Sequence, residues 1–217
     1  MKKISQSQII AIGTLFILGG LIIFSSQYFL NKKTELFEYI NMKLYFDQIV
    51  DEPAQPVEPD PDPDLGDPDA PEPTEEPVIT ESYIAILEIP KIDLQKGIYK
   101  MESKYNKVSR NIAILSPSDY PDVVNGNFVL AAHSGTGYLS FFRNLYKLNT
   151  GDVAYVYYDN NKYTYEITYI YTQQKTGTIN VYRPYNKSTL MLITCTKNDE
   201  STQTVYVAEL INKEPTS

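Results

Sequence analysis

The sequence predicts an all-β domain, a closed barrel or sandwich with few helices, that follows an N-terminal anchor and an extended spacer. Three observations support this prediction. Residues 80–217 alternate strand-like apolar runs with turn residues and are rich in tyrosine and β-branched side chains. Residues 51–79 contain nine of the fourteen prolines. Residues 9–24 contain no charged side chain. These differences separate one folded domain from the segments that precede it.

The composition excludes several classes of function. Of the 27 acidic residues, eleven lie in residues 51–79, so the rest of the chain holds 16 acidic residues against 19 basic ones. This nearly neutral remainder shows no basic stripe for nucleic acid. A single cysteine excludes an internal disulfide framework and any multi-cysteine metal site. No P-loop, GxGxxG or HExxH motif is present. We therefore predict no metal and no cofactor.

The uncharged residues 8–30 predict a transmembrane anchor, after a short cytoplasmic N-terminus at residues 1–7. A helix of about 20 apolar residues crosses a bilayer core, and this run is long enough. The main alternative is a cleaved signal peptide, whose apolar core is usually about 7–15 residues long and ends in a small-x-small site. The run here ends in SSQYFLNKK, a poor cleavage site. Two lysines precede the span and two follow it, so the positive-inside signal is nearly balanced.

Two further segments separate this anchor from the folded domain. Residues 31–50 place leucine and isoleucine at roughly helical spacing, which predicts a juxtamembrane helix. Residues 51–79 combine proline with acidic side chains and contain no Lys or Arg. Such a segment buries too little apolar surface to offset its ordering entropy, and repeated Asp-Pro and Glu-Pro steps keep it extended. We interpret it as a solvated linker that holds the folded domain away from a membrane.

Within residues 80–217, six segments are typical of strands. They are SYIAILEIP (82–90), GNFVLAAH (126–133), DVAYVYYD (152–159), KYTYEITYIYT (162–172), STLMLITC (188–195) and TVYVAELI (204–211). The continuous apolar run of GNFVLAAH indicates a strand buried on both faces. Asn160-Asn161 predicts a two-residue hairpin turn. The one convincing helical stretch is YLSFFRNLYKL, residues 138–148.

The only histidine and the only cysteine of the chain both end apolar strands next to polar loops. His133 is followed by SGTG, and Cys195 by TKNDEST. Two interpretations are open on these residues alone: a structural histidine with a buried free thiol, or a catalytic pair. The chemistry suits a pair, because a thiolate attacks an acyl carbon and a nearby imidazolium lowers the thiol pKa or protonates the leaving amine.

Several segments in order resemble the sortases, membrane-anchored cysteine transpeptidases of Gram-positive bacteria. The resemblance covers about residues 79–211. The segments are LEIPKIDLQKGIY (87–99), NFVLAAHSG (127–135), FFRNLYKLNTGDVAYVYY (141–158) and LITC (192–195), which resembles the end of the Thr-Leu-x-Thr-Cys motif. Each segment alone is weak evidence for the family, but the order of the segments after an N-terminal anchor is specific to it.

The resemblance implies an eight-stranded β-barrel outside the cell, tethered to the membrane. It also implies cleavage of a sorting signal such as Leu-Pro-x-Thr-Gly after Thr, a thioester on Cys195, and transfer to an amine of a peptidoglycan precursor or a pilin. The implied partners are therefore surface proteins or pilins, an amine acceptor and the membrane. By this resemblance Cys195 is the nucleophile, His133 the acid/base and Thr194 a residue that lines the substrate site.

Two positions depart from the sortase pattern. The first threonine of the motif is Met191 here. Sortases also carry an essential arginine at the start of the strand after the cysteine, and its place falls on Gln203. An amide can donate a neutral hydrogen bond to the oxyanion, but it lacks the charge and the fork of a guanidinium. Gln203 is therefore the predicted third catalytic residue.

Other arginines are alternatives to Gln203 as the third group. Arg110, Arg143 and Arg183 are each a candidate for a cation that reaches the site. Arg183, in VYRPYN, is the preferred substitute and a predicted substrate-binding residue. Arg143 is interpreted more simply as a helix-surface residue, and Lys197 as a solvated loop charge.

Three functions follow from these residues. The leading prediction is a sortase-type transpeptidase. The first alternative is a catalytically weakened or inactive membrane-tethered binding module, which the missing arginine suggests. The second alternative is a thiol hydrolase of cell-wall peptides, which would use the same nucleophile. The sequence shows no second hydrophobic span near the C-terminus and no Asp-Pro-aromatic lid. These two features weakly favour an anchoring enzyme. The sortase subclass is left open.

Overall fold

The computed structural model describes residues 6–50 and 81–216. A single helix, α1, spans Gln6–Val50 and covers both the predicted anchor at residues 8–30 and the predicted juxtamembrane helix. Within the described part of the chain, no helix combines the length and the apolar character that a membrane crossing requires. The anchor stays a prediction from the sequence. The predicted linker at residues 51–79 lies outside the described residues.

Eight strands form one sheet in the C-terminal part of the chain. They are β1 Ala85–Ile89, β2 Leu94–Ile98, β3 Ala113–Ile114, β4 Asn127–Ala131, β5 Val153–Tyr158, β6 Asn161–Gln174, β7 Thr189–Thr196 and β8 Asp199–Pro215. Their order across the sheet is β2-β1-β5-β6-β8-β7-β4-β3. All neighbours are antiparallel except β4 and β7, which are parallel. The prediction of an all-β domain is confirmed, but the barrel is nearly closed rather than closed, because β2 and β3 remain its two edges.

The hairpin between β5 and β6 turns one residue earlier than predicted. Tyr158 pairs with Asn161, so the two turn residues are Asp159 and Asn160. Both have positive φ angles, 47° and 56°. A two-residue hairpin turn of type I′ requires this backbone conformation at both positions, and Asp and Asn adopt it more readily than most residues.

The helix predicted at residues 138–148 is not an α-helix. The segment forms turns and one 3-10 helix, Leu145–Lys147. Phe142 is fully buried, and its backbone N–H donates to the carbonyl of His133 at 3.0 Å instead of to a helical neighbour. The apolar spacing of this segment therefore reflected the side chains that a folded-back loop buries, and not a helix. A second 3-10 helix, Pro90–Ile92, joins β1 to β2.

Strand β4 is buried on both faces of the sheet, as its continuous apolar run predicted, and most of β7 and residues 205–208 of β8 are buried in the same way. Alternate residues of the three strands face the main core; they include Phe128, Leu130, Leu190, Leu192, Tyr206 and Ala208. The intervening residues form a second cluster on the outer face, Val129, Ala131, Met191, Ile193, Val205 and Val207. Loop and strand residues Val108, Leu115, Tyr171 and Ile179 pack against this second cluster. Continued along the strands, the same alternation places His133, Cys195 and Gln203 on the outer face.

The tight contact between β2 and Tyr83 gives a test of the fold. A Cβ at Gly97 would overlap the ring of Tyr83, which is itself 4% exposed and so cannot easily move. We expect Gly97→Ala to lower the free energy of unfolding by about 1–3 kcal/mol through overpacking. Gly137→Ala is the matched control, because its Cβ would meet only Ser140 Oγ at 3.8 Å. Urea unfolding followed by circular dichroism measures both, and equal stability of the two variants would contradict this packing.

Candidate active site

The register of two parallel strands brings the only histidine and the only cysteine together. Ala131 of β4 lies opposite Ile193 of β7. His133 and Cys195 each follow two residues later, so the same register places them side by side. Parallel strands also end at the same edge of a sheet, which puts both side chains where the chain opens into polar loops.

Four hydrogen bonds fix the backbone around this pair. Ala132 N–H donates to the Ile193 carbonyl at 3.3 Å and continues the ladder beyond β4. The Thr194 hydroxyl donates to the Ala132 carbonyl at 2.8 Å, and the Ser134 hydroxyl donates to the Cys195 carbonyl at 2.9 Å. On the other side, the buried Phe142 holds the His133 carbonyl. The backbone that carries the two reactive side chains is thus held by hydrogen bonds on both strands.

His133 and Cys195 open into one cavity of about 800 Å³. The segment after His133 forms one wall, with Gly135, Thr136, Ser140, Arg143, Asn144 and Tyr146. The turn between β7 and β8 forms another, with Lys197, Asn198, Asp199 and Glu200, and Lys175 lies at the end of β6. His133 is exposed and Cys195 is half-buried. A substrate in the cavity can therefore reach both side chains.

Gln203 lies directly opposite Cys195 on the neighbouring strand β8. Opposite residues of an antiparallel pair project from the same face with Cβ atoms about 4.5–5.5 Å apart. Gln203 is half-buried and does not line the cavity described above. On its other side it pairs with Gln173 of β6. Gln203 is thus next to the cysteine in the sheet but outside the lining of the cavity.

The three arginines considered from the sequence lie in different places. Arg183 donates to the carbonyls of Asn125 and Lys187 at 3.0 and 3.4 Å. Asn125 precedes β4, so Arg183 lies at the end of that strand opposite His133 and does not reach the cavity. Arg110 lies 5.8 Å from the Tyr105 ring in the loop between β2 and β3, and it is not a lining residue either.

Arg143, interpreted from the sequence as a helix-surface residue, lines the cavity instead. Its Nε donates to the Ser140 carbonyl and its Nη2 to the Gly137 carbonyl, both at 3.1 Å. The guanidinium is thereby pinned against the loop that follows His133. It belongs to the wall of the site because that loop folds back toward the strands.

Thr194 is buried and directs its hydroxyl to the Ala132 carbonyl. It alternates with Cys195 along β7, so it faces the interior of the barrel while the cysteine faces the cavity. Its described contact therefore ties β7 to β4. The predicted role of Thr194 in lining the substrate site stays a prediction.

Two lysines that the sequence did not mark as site residues border the cavity. Lys197 Nζ lies 3.4 Å from the centre of the Tyr146 ring and bridges the two walls. Its hydrogen bond and charge lower the pKa of the Tyr146 phenol. Lys175 Nζ donates to the Glu200 carbonyl at 2.7 Å. No local pattern marks Lys175, because pairing between distant parts of β6 and β8 places it there.

The turn between β7 and β8 is held by Asp199. Its carboxylate accepts from the Ser201 hydroxyl and backbone N–H and from the Thr202 hydroxyl, and these bonds lower the pKa of Asp199. The cavity therefore presents three cationic side chains, Arg143, Lys175 and Lys197, against the carboxylates of Asp199 and Glu200. A thiol, an imidazole and a cationic wall are suited to nucleophilic acyl transfer.

Thr194→Val tests the bond that joins the two strands below the site. The substitution keeps the shape of the side chain and leaves the buried Ala132 carbonyl without the hydroxyl donor, so we expect a loss of about 1–3 kcal/mol in the free energy of unfolding. Thr172→Val on the exposed part of β6 is the control and should change stability by less than about 0.5 kcal/mol. Urea unfolding provides the comparison. An unchanged Thr194→Val midpoint would show that the hydroxyl does not support the strand pair.

Comparison with known proteins places this site in a family. A family model described as "Sortase domain" matches residues 87–211. A search of curated proteins finds no match.

Solved structures agree with the family model. The sortase D5 transpeptidase from Clostridium perfringens is 26% identical, with a TM-score of 0.51 over 60% of this chain and 80% of that chain. A lid mutant of sortase A from Corynebacterium diphtheriae is 25% identical, with a TM-score of 0.54 over 61% and 72%. Sortase C1 from Streptococcus agalactiae is 25% identical, with a TM-score of 0.53 over 60% and 68%.

These similar structures come from three classes of sortase, and they leave the subclass of this chain open. The matched region contains all eight strands except the first two residues of β1 and the end of β8. It also contains His133, Cys195 and Gln203. The chain therefore belongs to the sortase family of cysteine transpeptidases.

Proposed function

We propose that this protein is a sortase-type cysteine transpeptidase that cleaves a sorting signal of the Leu-Pro-x-Thr-Gly kind. The observation that carries the proposal is the shared cavity of His133 and Cys195 at the ends of two paired parallel strands. The partners are surface proteins or pilins that bear the signal and an amine acceptor. Its place at the cell surface remains a prediction from the sequence.

The first half-reaction transfers an acyl group to the cysteine. The Cys195 thiolate attacks the carbonyl carbon of the signal threonine and forms a C–S bond, and the carbonyl electron pair moves onto oxygen. Collapse of this tetrahedral species breaks the Thr–Gly C–N bond. His133 as imidazolium donates its proton to the leaving amine. The products are a thioester on Cys195 and the released C-terminal fragment.

The second half-reaction reverses the roles. The acceptor amine attacks the thioester carbon, and neutral His133 takes the proton that the amine loses. Collapse breaks the C–S bond and restores the Cys195 thiolate, while the new amide leaves. Water in place of the amine would give hydrolysis, so the same residues support both outcomes and the products distinguish them.

Gln203 is the proposed donor to the oxyanion in both halves. Its position across from Cys195 in the strand register supports this role. A neutral amide forms a weaker bond than a guanidinium. The three cations of the cavity wall add a positive field, which favours the oxyanion. The absence of an arginine at position 203 also motivates the alternative of a sortase-like module that binds a surface protein without catalysis.

Thioester trapping tests the proposed function. The purified full chain is incubated with a sorting-signal peptide library and its mass is measured. We expect an acyl adduct on Cys195 that hydroxylamine releases, no adduct with Cys195→Ala, and a new amide product when an amine is added. No adduct from folded wild type across the library would overturn the enzyme and favour the binding module. Release of free acid alone, at the same rate with and without amine, would identify a hydrolase.

The role of Gln203 is tested separately. Gln203→Leu removes the donor and keeps an uncharged side chain of similar bulk, so we expect kcat to fall by about 10²–10³. Gln174→Leu is the matched control, since Gln174 is exposed and alternates with Gln173 onto the other face of β6. Single-turnover acylation with a reactive peptide measures both. Equal rates for Gln203→Leu and wild type would remove Gln203 from the mechanism and direct attention to Arg143.

A further inference from the structure

Three side chains on neighbouring strands form a row that leads away from the nucleophile. Cys195 of β7 pairs with Gln203 of β8, and Gln203 pairs in turn with Gln173 of β6. Residues paired across antiparallel strands project from the same face. Position 203 therefore lies between Cys195 on one side and Gln173 on the other.

The amide of Gln173 has a fixed orientation. The backbone N–H of Asn180 donates to Gln173 Oε1 at 3.0 Å, and a backbone N–H can bond only to the oxygen end of an amide. Asn180 is itself held, because the Tyr171 hydroxyl donates to its carbonyl at 2.5 Å and the preceding Ile179 packs on the outer cluster. The Nε2 end of Gln173 must therefore point away from Asn180.

That Nε2 is buried and has no hydrogen-bond partner among the described residues. A buried donor without an acceptor is unfavourable, so such a group calls for a partner that the resting arrangement does not supply. The polar side chain paired with Gln173 on this face is Gln203. Because Gln173 Nε2 has no partner among the described residues, the two amides are not hydrogen-bonded to each other in the resting arrangement. The donor and the acceptor that it requires are thus neighbours on one row.

We propose that Gln173 is a positioning residue for the acyl-transfer reaction: when a substrate occupies the site, its Nε2 donates to Gln203 Oε1 and so turns Gln203 Nε2 toward the oxyanion beside Cys195. This inference rests on the proposed function and adds to it the group that orients the donor. An arginine at position 203 would present only donors. A glutamine presents a donor and an acceptor, and with the acceptor turned inward it would repel the oxyanion. A hydrogen bond from Gln173 occupies the acceptor oxygen of Gln203 and so excludes this unproductive orientation.

Gln173→Glu is the sharpest test of this relay. The carboxylate still accepts from Asn180 N–H, so the loop contact is kept, but the donor to Gln203 is lost. The carboxylate would instead accept from Gln203 Nε2 and turn Oε1 toward the oxyanion. We expect kcat of acylation to fall by about tenfold to a hundredfold with KM within about twofold. Gln174→Glu adds the same charge to the exposed, opposite face of β6 and should match wild type.

A second background separates positioning from structure. In a Gln203→Arg chain the guanidinium has only donors, so the native Gln173 amide opposes it, whereas the carboxylate that Gln173→Glu introduces accepts from it. We therefore expect Gln173→Glu to raise kcat in the Gln203→Arg chain and to lower it in wild type. A structural role of Gln173 would give the same direction in both backgrounds, and that result would overturn the proposal.

The pH profile excludes a simple charge effect. If the carboxylate of the Gln173→Glu variant acted only by disfavouring the thiolate, raising the pH would restore the rate, whereas a misoriented amide stays slow at every pH. Full recovery at high pH would contradict the relay, and a persistent loss supports it. Thioester formation by wild type and by Gln174→Glu shows that the proposed function holds, so an unaltered rate in Gln173→Glu would sink this inference alone. A wild type that forms no thioester would defeat both.

Discussion

The parallel pairing of β4 with β7 is the constraint on which the rest of the site depends. It is the single parallel pair in a sheet of otherwise antiparallel neighbours among the described strands. An antiparallel pair would place the ends of its two strands at opposite edges of the sheet. The parallel register instead ends both strands together, and so joins two residues that are 62 positions apart in the sequence, 133 and 195. The pair is tied at that end by Thr194 and Ser134.

Burial on both faces makes this register unambiguous. A slip of one residue would exchange the main core residues of β7 for those of the outer cluster and would turn Cys195 into the barrel. Ile179 packs on the outer cluster, whereas Phe142 and Leu145 anchor the segment after His133 in the main core. The packing that stabilises the strands therefore also builds the walls of the site and holds Asn180 against Gln173.

The sequence allowed six of the eight strands and the central pair to be predicted, because both depend on local patterns. Apolar runs marked β4 and β7, and His133 and Cys195 were conspicuous as single residues of their kinds at strand ends. The prediction of a helix at 138–148 was wrong because the spacing of apolar residues does not distinguish a helix from a loop that buries Phe142. Arg143 was assigned to a surface for the same reason, and Arg183 lies at the far end of β4. Lys175 and Gln173 could not be found, since only the pairing of β6 with β8 brings them near Cys195.

The shared site requires positions 133 and 195 to be adjacent. This adjacency can be measured directly because the chain contains one cysteine. In His133→Cys the two cysteines would lie on neighbouring strands about 4.8 Å apart, within the Cα–Cα range that a disulfide spans. Mild oxidation followed by mass measurement and thiol counting should show an intramolecular cross-link with the loss of both free thiols. Two free thiols in folded, oxidised protein would contradict the register of β4 and β7 and, with it, the shared site.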